Sequence, residues 1–399
     1  MLKTRRTVPV AAGNGQYATE SIFAAMSKTP RPLRILVVGQ TPPPFGGQAV
    51  MIQKLVEGRF DRVQIHHVRL EFSKEMDEVG RFQVNKILIL FKTIAAIMWG
   101  RIRYGARVLY YPPSGPNMVP VLRDIILLNA VRWMFKRTVF HFHGSGVSTF
   151  GPSVPSVLRP FFRSAYARPD LAIRVSPVAP EDGLYFHAKD NVVVHNGIED
   201  EAGGPIDRSG RGVGPVRLLF IGVLIPSKGV QVLLESFVHM RKDGLDVEVD
   251  LMGKWGSPEF ERQCMDLIAR EGVADRVHFL GVRTGAEKAQ ALRDADIFCF
   301  PSHFEAETSP LVLMEAMEYS LPIVSTRWRG IPALVDNGAN GLLVEPQDAR
   351  AVADAVGKLV ADPTARTSMG NAGRKAFEAR FSVQQHLRAM EEAFLRLHL

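Results

Sequence analysis

The sequence predicts an α/β fold in which two doubly wound, parallel-sheet domains face a cleft. Three observations carry this. From residue 33 onward, short β-rich runs alternate with segments of helical length, the pattern of parallel sheets covered by helices. The alternation breaks once, at 199–215 (EDEAGGPIDRSGRGVGP), where glycine and charge mark an exposed linker between domains. A length of 399 residues suits two or three domains.

Taken in order, residues 1–32 show no sustained periodicity and read as a disordered tail. The first domain, 33–198, has strand-like runs at 34–38 (RILVV), 63–68, 107–111 (RVLYY), 138–142 (TVFHF), 170–175 and 192–195. Helical stretches fall at 48–58, 82–103 and 117–136. The second domain, 216–381, restarts with 216–221 (VRLLFI) and continues through 246–252, 276–280, 296–300, 322–326 and 341–344. Its helical stretches are 229–242, 257–271, 285–294, 310–320 and 348–361. Folds of this kind bind ligands at the carboxyl ends of their strands, so the loops that follow the strands are where chemistry is sought.

Hydrophobic residues make up 46% and charged residues 23%, a globular balance that excludes disordered and collagen-like chains. Two cysteines, Cys264 and Cys299, support neither a disulfide framework nor a zinc site and indicate a reducing compartment. The most apolar run, Ile87 to Trp99, has 13 residues and is interrupted by Lys92 and Thr93. As a helix it reaches about 20 Å, short of a hydrocarbon core of about 30 Å. The N-terminus, with Arg5 and Arg6, lacks the apolar core of a signal peptide, so a cytoplasmic protein is expected.

The net charge of +8 is uneven: residues 1–205 carry +11 and residues 206–399 carry −3. Residues 81–174 hold 14 basic side chains against Asp124 and Asp170 alone. Such a surface suits an anionic partner, and no nucleic-acid-reading module accompanies it, so nucleic acid is not expected. In a helix 82–103, Arg81, Lys92 and Arg103 recur every 11 residues, about 20° apart in projection. They would form a basic stripe beside Ile87, Leu88, Phe91 and Trp99. Helix 117–136 adds Arg123, Arg132, Lys136 and Arg137 next to Ile125, Ile126, Trp133 and Phe135. The expectation is a surface lying on an anionic membrane. The competing reading is that these apolar faces simply cover the first domain's sheet.

Several loops carry candidate chemistry. After the first strand, Thr41 leads through three prolines to Gly46 and Gly47, whose backbone amides can approach an anion at a helix start. After strand 138–142, His141 and His143 share a face. No convincing third ligand accompanies them, so no metal is expected. His143, at the strand's end, is read as a cleft residue that hydrogen-bonds a substrate, and His141 as a core histidine. Lys228, before Gly229, stands beside a strand–loop–helix mouth suited to phosphate. Asp294-Ala295-Asp296 resembles a metal clamp but reads as an ordinary helix–strand junction.

The most informative stretch is PSHFEAETSPLVLMEAM, residues 301–317. Ser309 followed by Pro310 predicts an N-cap and first helical position. Glu307 then lies in the loop with Thr308, and Glu315 about two turns into the helix. Free amides of Leu311 and Val312 sit between the two carboxylates. Carboxylates at both ends and a helix N-terminus between them suit a ligand with hydroxyls at both ends and phosphates in the middle, such as a nucleotide-sugar.

With Gly46-Gly47, His143-Gly144, Asn196-Gly197, Lys228-Gly229 and the Glu307–Glu315 spacing, residues 33–399 resemble the retaining GT-B glycosyltransferases of the large family four. The resemblance implies two Rossmann-like domains, a closing helix at 382–399 packed back on the first, and a donor bound mainly by the second. It implies that Glu315 holds ribose hydroxyls, Glu307 holds the transferred sugar, and Lys228 neutralises the departing diphosphate with help from Gly46 and Gly47. Thr308, Ser309 and Leu311 would complete the donor site, and His143 would contact the sugar near the reaction centre. Neither cofactor nor metal is implied. The sequence departs from the family at Val223, where an arginine is usual, at Arg329, where a glycine is common, and at Ala333, where a glutamate is common.

The expected activity is therefore transfer of a sugar, with retention, from a UDP- or GDP-linked donor to a hydroxyl. The expected acceptor is a lipid-linked glycan of bacterial cell-surface or exopolysaccharide synthesis, met at the inner face of the plasma membrane. A sugar-nucleotide epimerase of the same architecture and a non-enzymatic homologue are the alternatives.

Overall fold

The structure, a computed structural model, describes residues 32–43, 46–71, 85–113, 115, 117–144, 146–208 and 214–397. The expected N-terminal tail lies outside these residues except for Pro32. So does Arg81, the first member of the expected basic stripe.

The first sheet comprises β1 (Leu33–Gly39), β2 (Val63–Arg69), β3 (Val108–Tyr111), β4 (Arg137–Phe142), β5 (Leu171–Arg174) and β6 (Asn191–Val193). It is parallel throughout, in the order β2-β1-β3-β4-β5-β6. The second comprises β7 (Val216–Ile221), β8 (Val247–Met252), β9 (Val277–Gly281), β10 (Ile297–Phe300), β11 (Ile323–Thr326) and β12 (Gly341–Val344). It too is parallel, in the order β12-β11-β10-β7-β8-β9. The central strands are unbroken runs of Val, Ile, Leu and aromatic residues because both sheet faces are covered. The strand order reverses between β1 and β3 and between β7 and β10, and these switch points open a crevice at the strands' carboxyl ends.

The helices of the first domain are α1 (Gly47–Glu57), α2 (Asn85–Tyr104), α3 (Met118–Val131), α4 (Val147–Phe150), α5 (Arg159–Tyr166) and α6 (Asp182–Tyr185). Those that follow are α7 (Val230–Lys242), α8 (Pro258–Arg270), α9 (Gly285–Asp294), α10 (Leu311–Glu318), α11 (Ala349–Ala361), α12 (Pro363–Ala376) and α13 (Val383–Leu395). Alternation along the strands sorts the first domain's core. Leu36, Val38, Leu109, Tyr111 and Phe140 pack with residues of α2, α3 and α5. Ile35, Val37, Val108, Tyr110 and Val139 pack on the other face with α1 and with Met390, Ala393 and Phe394 of α13. The closing helix therefore completes the first domain's core.

Helix α2 is apolar on two sides. Leu90, Thr93, Ile97 and Gly100 face the sheet, whereas Leu88, Phe91, Trp99 and Ile102 face outward. Trp99 is 66% exposed, Ile102 68%, and Trp133, just beyond α3, 73%. Ile87 and Ile126 are also exposed, but Ile125 and Phe135 are buried. Covering the sheet therefore does not account for the outer face of α2.

The basic residues of the α3 region are less free than the sequence implied. The Arg132 guanidinium donates to the carbonyls of Ser164, Ala165 and Ala167 at 3.2, 2.5 and 3.0 Å, closing the end of α5. Arg123 donates to Asp124 at 2.8 Å. Asp124 is fully buried and also accepts from Tyr111 at 2.5 Å and Tyr166 at 3.0 Å, tying α3 to β3 and α5. These carbonyls and the buried carboxylate, invisible in a helical projection, turn two expected surface cations inward.

The stretch read as an exposed linker is docked over its first half. Asp200 pairs with Arg374, Ala202 N donates to Glu318 at 2.7 Å, and Arg208 donates to the carbonyls of Leu292, Ala295 and Tyr319. Residues 209–213 of that stretch lie outside the described residues. The chain passes between domains where Ile198 and Ser382 form a bridge, at Gly197, whose missing β-carbon would lie 2.5 Å from the Ser382 carbonyl oxygen.

Replacing Asp124 by alanine removes the acceptor that Arg123 and two buried tyrosine hydroxyls share, and is expected to cost about 3–5 kcal/mol of stability. Asp124→Asn keeps an acceptor and should cost less. Urea denaturation of both variants measures the difference, and equal midpoints for alanine variant and parent would contradict the assignment.

Candidate active site

The loop between β10 and α10, residues 301–310, is pinned along its length. Gly229, at φ 84°, lies so close that a β-carbon there would sit 2.1 Å from the Pro301 carbonyl oxygen. Gly330 approaches Thr308 more closely still, 1.7 Å by the same measure, and its amide donates to the Glu307 carbonyl at 2.8 Å. Between these points His303 N donates to Ser227 O at 2.8 Å, and the Trp328 indole donates to Phe304 O at 2.8 Å.

The pinned loop turns Glu307 inward. Its Oε2 accepts from Lys228 Nζ at 2.6 Å and from Ser302 Oγ at 2.8 Å. Glu307 and Ser302 are buried, and the Lys228 ammonium stands 4.5 Å from the centre of the Phe304 ring. The sequence expectation presented Lys228 to phosphate and Glu307 to a sugar as separate groups. Here they form one ion pair, because the carboxylate, drawn out of water by the loop, needs a cation.

Helix α10 starts one residue later than expected. Ser309 is not the cap: Pro310 occupies that position with extended backbone, and no side chain caps the helix. Glu315 is thus the fifth helical residue, about 6 Å along the axis and not two turns in. Its Oε1 accepts from Lys288 Nζ of α9 at 2.8 Å, while Oε2 is buried without a partner. Ser309 Oγ and His303 Nδ1 are buried and unpartnered as well. Thr308 is buried and donates to Ala306 O at 3.1 Å. The opening amides of α10, those of Leu311 and Val312, lie between Glu307 and Glu315 in the chain and have no acceptor within the helix.

From the first domain, Gly46 and Gly47 open α1. A β-carbon on Gly47 would lie 4.0 Å from Leu311 Cδ1, so this loop meets the start of α10 across the crevice. His143 directly follows β4, its ring 3.9 Å from that of His141, which in turn shares a 2.7 Å hydrogen bond with Tyr110 Oη. Burial, with His386 of α13 nearby, drives His143 down to about 3, and burial beside His143 and His386 holds His141 well below its ordinary value. His143 is therefore a neutral imidazole whose Nε2 is buried without a partner. Among the described residues it shares no hydrogen bond with Lys228, Glu307 or Glu315.

Lys288 is the residue the sequence reading missed. It is 27 positions from Glu315, on another helix, and no motif or periodicity marks it. Val223 is half exposed, and Arg329, at φ 47°, extends over Trp328 and toward Glu305 at 3.9 Å. Asp296 accepts from Arg217 N at 2.9 Å, as a helix–strand junction requires. Among the described residues no group of three or more His, Cys, Asp and Glu side chains is arranged to hold a metal ion.

Residues 215–362, most of the second domain, match the family described as Glycosyl transferases group 1. The chain is 35% identical over 182 residues to a D-inositol 3-phosphate glycosyltransferase of Corynebacterium jeikeium, covering 45% of this chain and 43% of that protein. It is 34% identical over 143 residues to the putative colanic acid biosynthesis glycosyltransferase WcaL of Escherichia coli, covering 35% of this chain and 34% of that one. The matches thus span less than half the length of these relatives. In fold the likeness extends over both domains: the structure of Anabaena Alr3699/HepE in complex with UDP superposes with a TM-score of 0.69 over 91% of this chain and 100% of that one, at 18% identity. The two facing sheets are those of GT-B glycosyltransferase structures.

Removing one member of the Lys228–Glu307 pair leaves the other half-satisfied. Lys228→Met and Glu307→Gln are each expected to destabilise by about 1–3 kcal/mol, and the double variant by less than their sum. Strictly additive losses in chemical denaturation would show that the pair is not coupled.

Proposed function

We propose that the chain is a retaining glycosyltransferase that moves a sugar from a UDP- or GDP-linked donor to a hydroxyl, in bacterial surface or secreted polysaccharide synthesis. The observation that carries this reading is the set of buried, unpartnered polar atoms along loop 301–310 and α10: His303 Nδ1, Ser309 Oγ and Glu315 Oε2. Natural interiors rarely leave such atoms unpaired, and a hydroxyl-rich ligand with a diphosphate centre supplies their partners. Glu315 receives ribose hydroxyls and Glu307 the transferred sugar's hydroxyls. The opening amides of α10, Gly46, Gly47 and Lys228 face the diphosphate.

In the reaction, the acceptor oxygen bonds to the anomeric carbon on the face from which the diphosphate departs. The bond from that carbon to the phosphate oxygen breaks, and the acceptor's proton passes to a phosphate oxygen. Negative charge grows on the diphosphate, so Lys228 acts most strongly at the transition state. Because Lys228 is already held by Glu307, it is aligned before the donor arrives, and the pair couples the sugar's position to that of the leaving group. Neutral His143 offers a hydrogen bond near the sugar without adding charge.

The acceptor is proposed to be a lipid-linked glycan at the inner face of the membrane. The outward face of α2, with Leu88, Phe91, Trp99 and Ile102 flanked by Lys92 and Arg103, supports this. No described helix is long and apolar enough to cross a membrane, so the attachment is interfacial.

Two measurements test the reading. Glu315→Ala should weaken binding of the free nucleotide diphosphate by roughly 1.5–3 kcal/mol, whereas Glu307→Ala, which leaves the ribose contact in place, should chiefly lower turnover with the intact donor. UDP and GDP titrated by calorimetry, followed by hydrolysis of labelled donors, separate the two roles. Equal nucleotide affinity for parent and Glu315→Ala would refute the ribose assignment.

For the membrane, the protein should sediment with anionic vesicles at low salt and be released at high salt. Lys92→Ser, Arg103→Ser and Lys136→Ser together should abolish sedimentation without affecting donor hydrolysis. Arg132 is left in place because it closes α5. A parent protein that ignores anionic vesicles at low salt would point to a soluble acceptor.

A further inference from the structure

Glu315 has one carboxylate oxygen satisfied and one not. Lys288 Nζ sits 2.8 Å from Oε1, while Oε2 is buried and unpartnered. Both side chains are only partly exposed, at 27% for Lys288 and 18% for Glu315. The partners come from separate helices, Lys288 from the first turn of α9 and Glu315 from α10, so the ion pair fixes a long, rotatable carboxylate between two rigid supports. Without the lysine, a glutamate at this depth would turn toward water or another donor, and Oε2 would no longer be held in place. Ordering a glutamate side chain costs entropy at the moment of binding unless the free protein has already ordered it.

We propose that Lys288 is a positioning residue for the nucleoside end of the donor: by holding Glu315 Oε1 it presents Oε2 to a ribose hydroxyl. The inference rests on the ribose role proposed for Glu315 and adds to it a residue from a different helix. Lys288 touches the carboxylate and not the reacting atoms, so its effect falls on discrimination of the ribose and not on the chemical step.

The test compares UDP and GDP with their 2′,3′-dideoxy counterparts, titrated by calorimetry into the 399-residue chain. The parent should prefer at least one ribonucleotide over its dideoxy counterpart by tenfold or more. Lys288→Met should bind that ribonucleotide about tenfold more weakly and the dideoxy compound unchanged, so the preference largely disappears. Lys288→Arg should restore most of it. Thermal denaturation of the free variants separates loss of positioning from loss of fold. A Lys288→Met variant that keeps the full ribose preference overturns the proposal, as does one that loses affinity for both compounds equally. If the parent binds neither nucleotide, or shows no ribose preference, the reading of Glu315 itself fails and this inference falls with it.

Discussion

The cleft depends on two places where backbone meets backbone with no room for a side chain. Gly229 against Pro301 and Gly330 against Thr308 clamp the loop that follows β10 near its two ends. A loop so held cannot relax its side chains into water, and Glu307, between the clamps, is forced under Lys228. The ion pair follows from the clamp and not the reverse, since its components are distant in sequence and meet only because β7 and β10 are adjacent at the switch point. The same loop sets where α10 begins, and hence where Glu315 stands and which residue of α9 can reach it. A β-carbon at either glycine would disturb the whole chain of contacts, which gives these positions a role as large as that of the charged groups they place.

Much of the architecture was legible because its signals are local. Runs such as VRLLFI and RILVV are buried on both faces and can be little else than central parallel strands, and the twelve strands among the described residues lie where the runs stand. Helix starts were less legible. Ser309-Pro310 carries the residues of a cap, yet the turn begins one residue later because loop 301–310 is fixed from outside by Trp328 and Gly330. Arg123 and Arg132 looked like surface cations on a helical projection. Asp124 and the exposed carbonyls at the end of α5 claim them through contacts that no window of sequence contains. Lys288 was invisible for the same reason: a pairing across 27 residues and two helices leaves no pattern. Short helices such as α4 and α6, stabilised by tertiary contacts more than by propensity, also escaped.

The first domain uses its two apolar layers differently. On one side of its sheet α1 and α13 close the core, so the last helix of the chain is bound into the first domain, and the two crossings at Ile198 and Ser382 run side by side. On the other side α2, α3 and α5 cover the sheet and still leave large side chains outward, Trp99 and Trp133 among them. A soluble surface has no need for tryptophans above a basic flank, whereas an interface between water and lipid accommodates both parts of that ring. In the proposed reaction this arrangement lets one domain rest on the membrane while its glycine loop, at Gly46 and Gly47, still reaches the start of α10.

The departures from the family pattern bear on where charge is met. Val223 offers no cation at the mouth of β7, and Arg329 does not replace one: its guanidinium is engaged with Trp328 and Glu305 at the outer side of the loop. Arg329 also holds a left-handed backbone conformation that a glycine would adopt without cost, so its side chain is retained against a local penalty of about 1–3 kcal/mol. For the proposed chemistry, Lys228 then stands with backbone amides as the counter-charge to a departing diphosphate. Its pairing with Glu307 reduces that charge in the resting site and leaves the ammonium already placed when a dianion approaches from the other side. Lysine shared between a buried carboxylate and an incoming phosphate binds the ground state modestly and gains as negative charge moves onto the leaving group, which is the condition for accelerating the step instead of merely tightening donor binding.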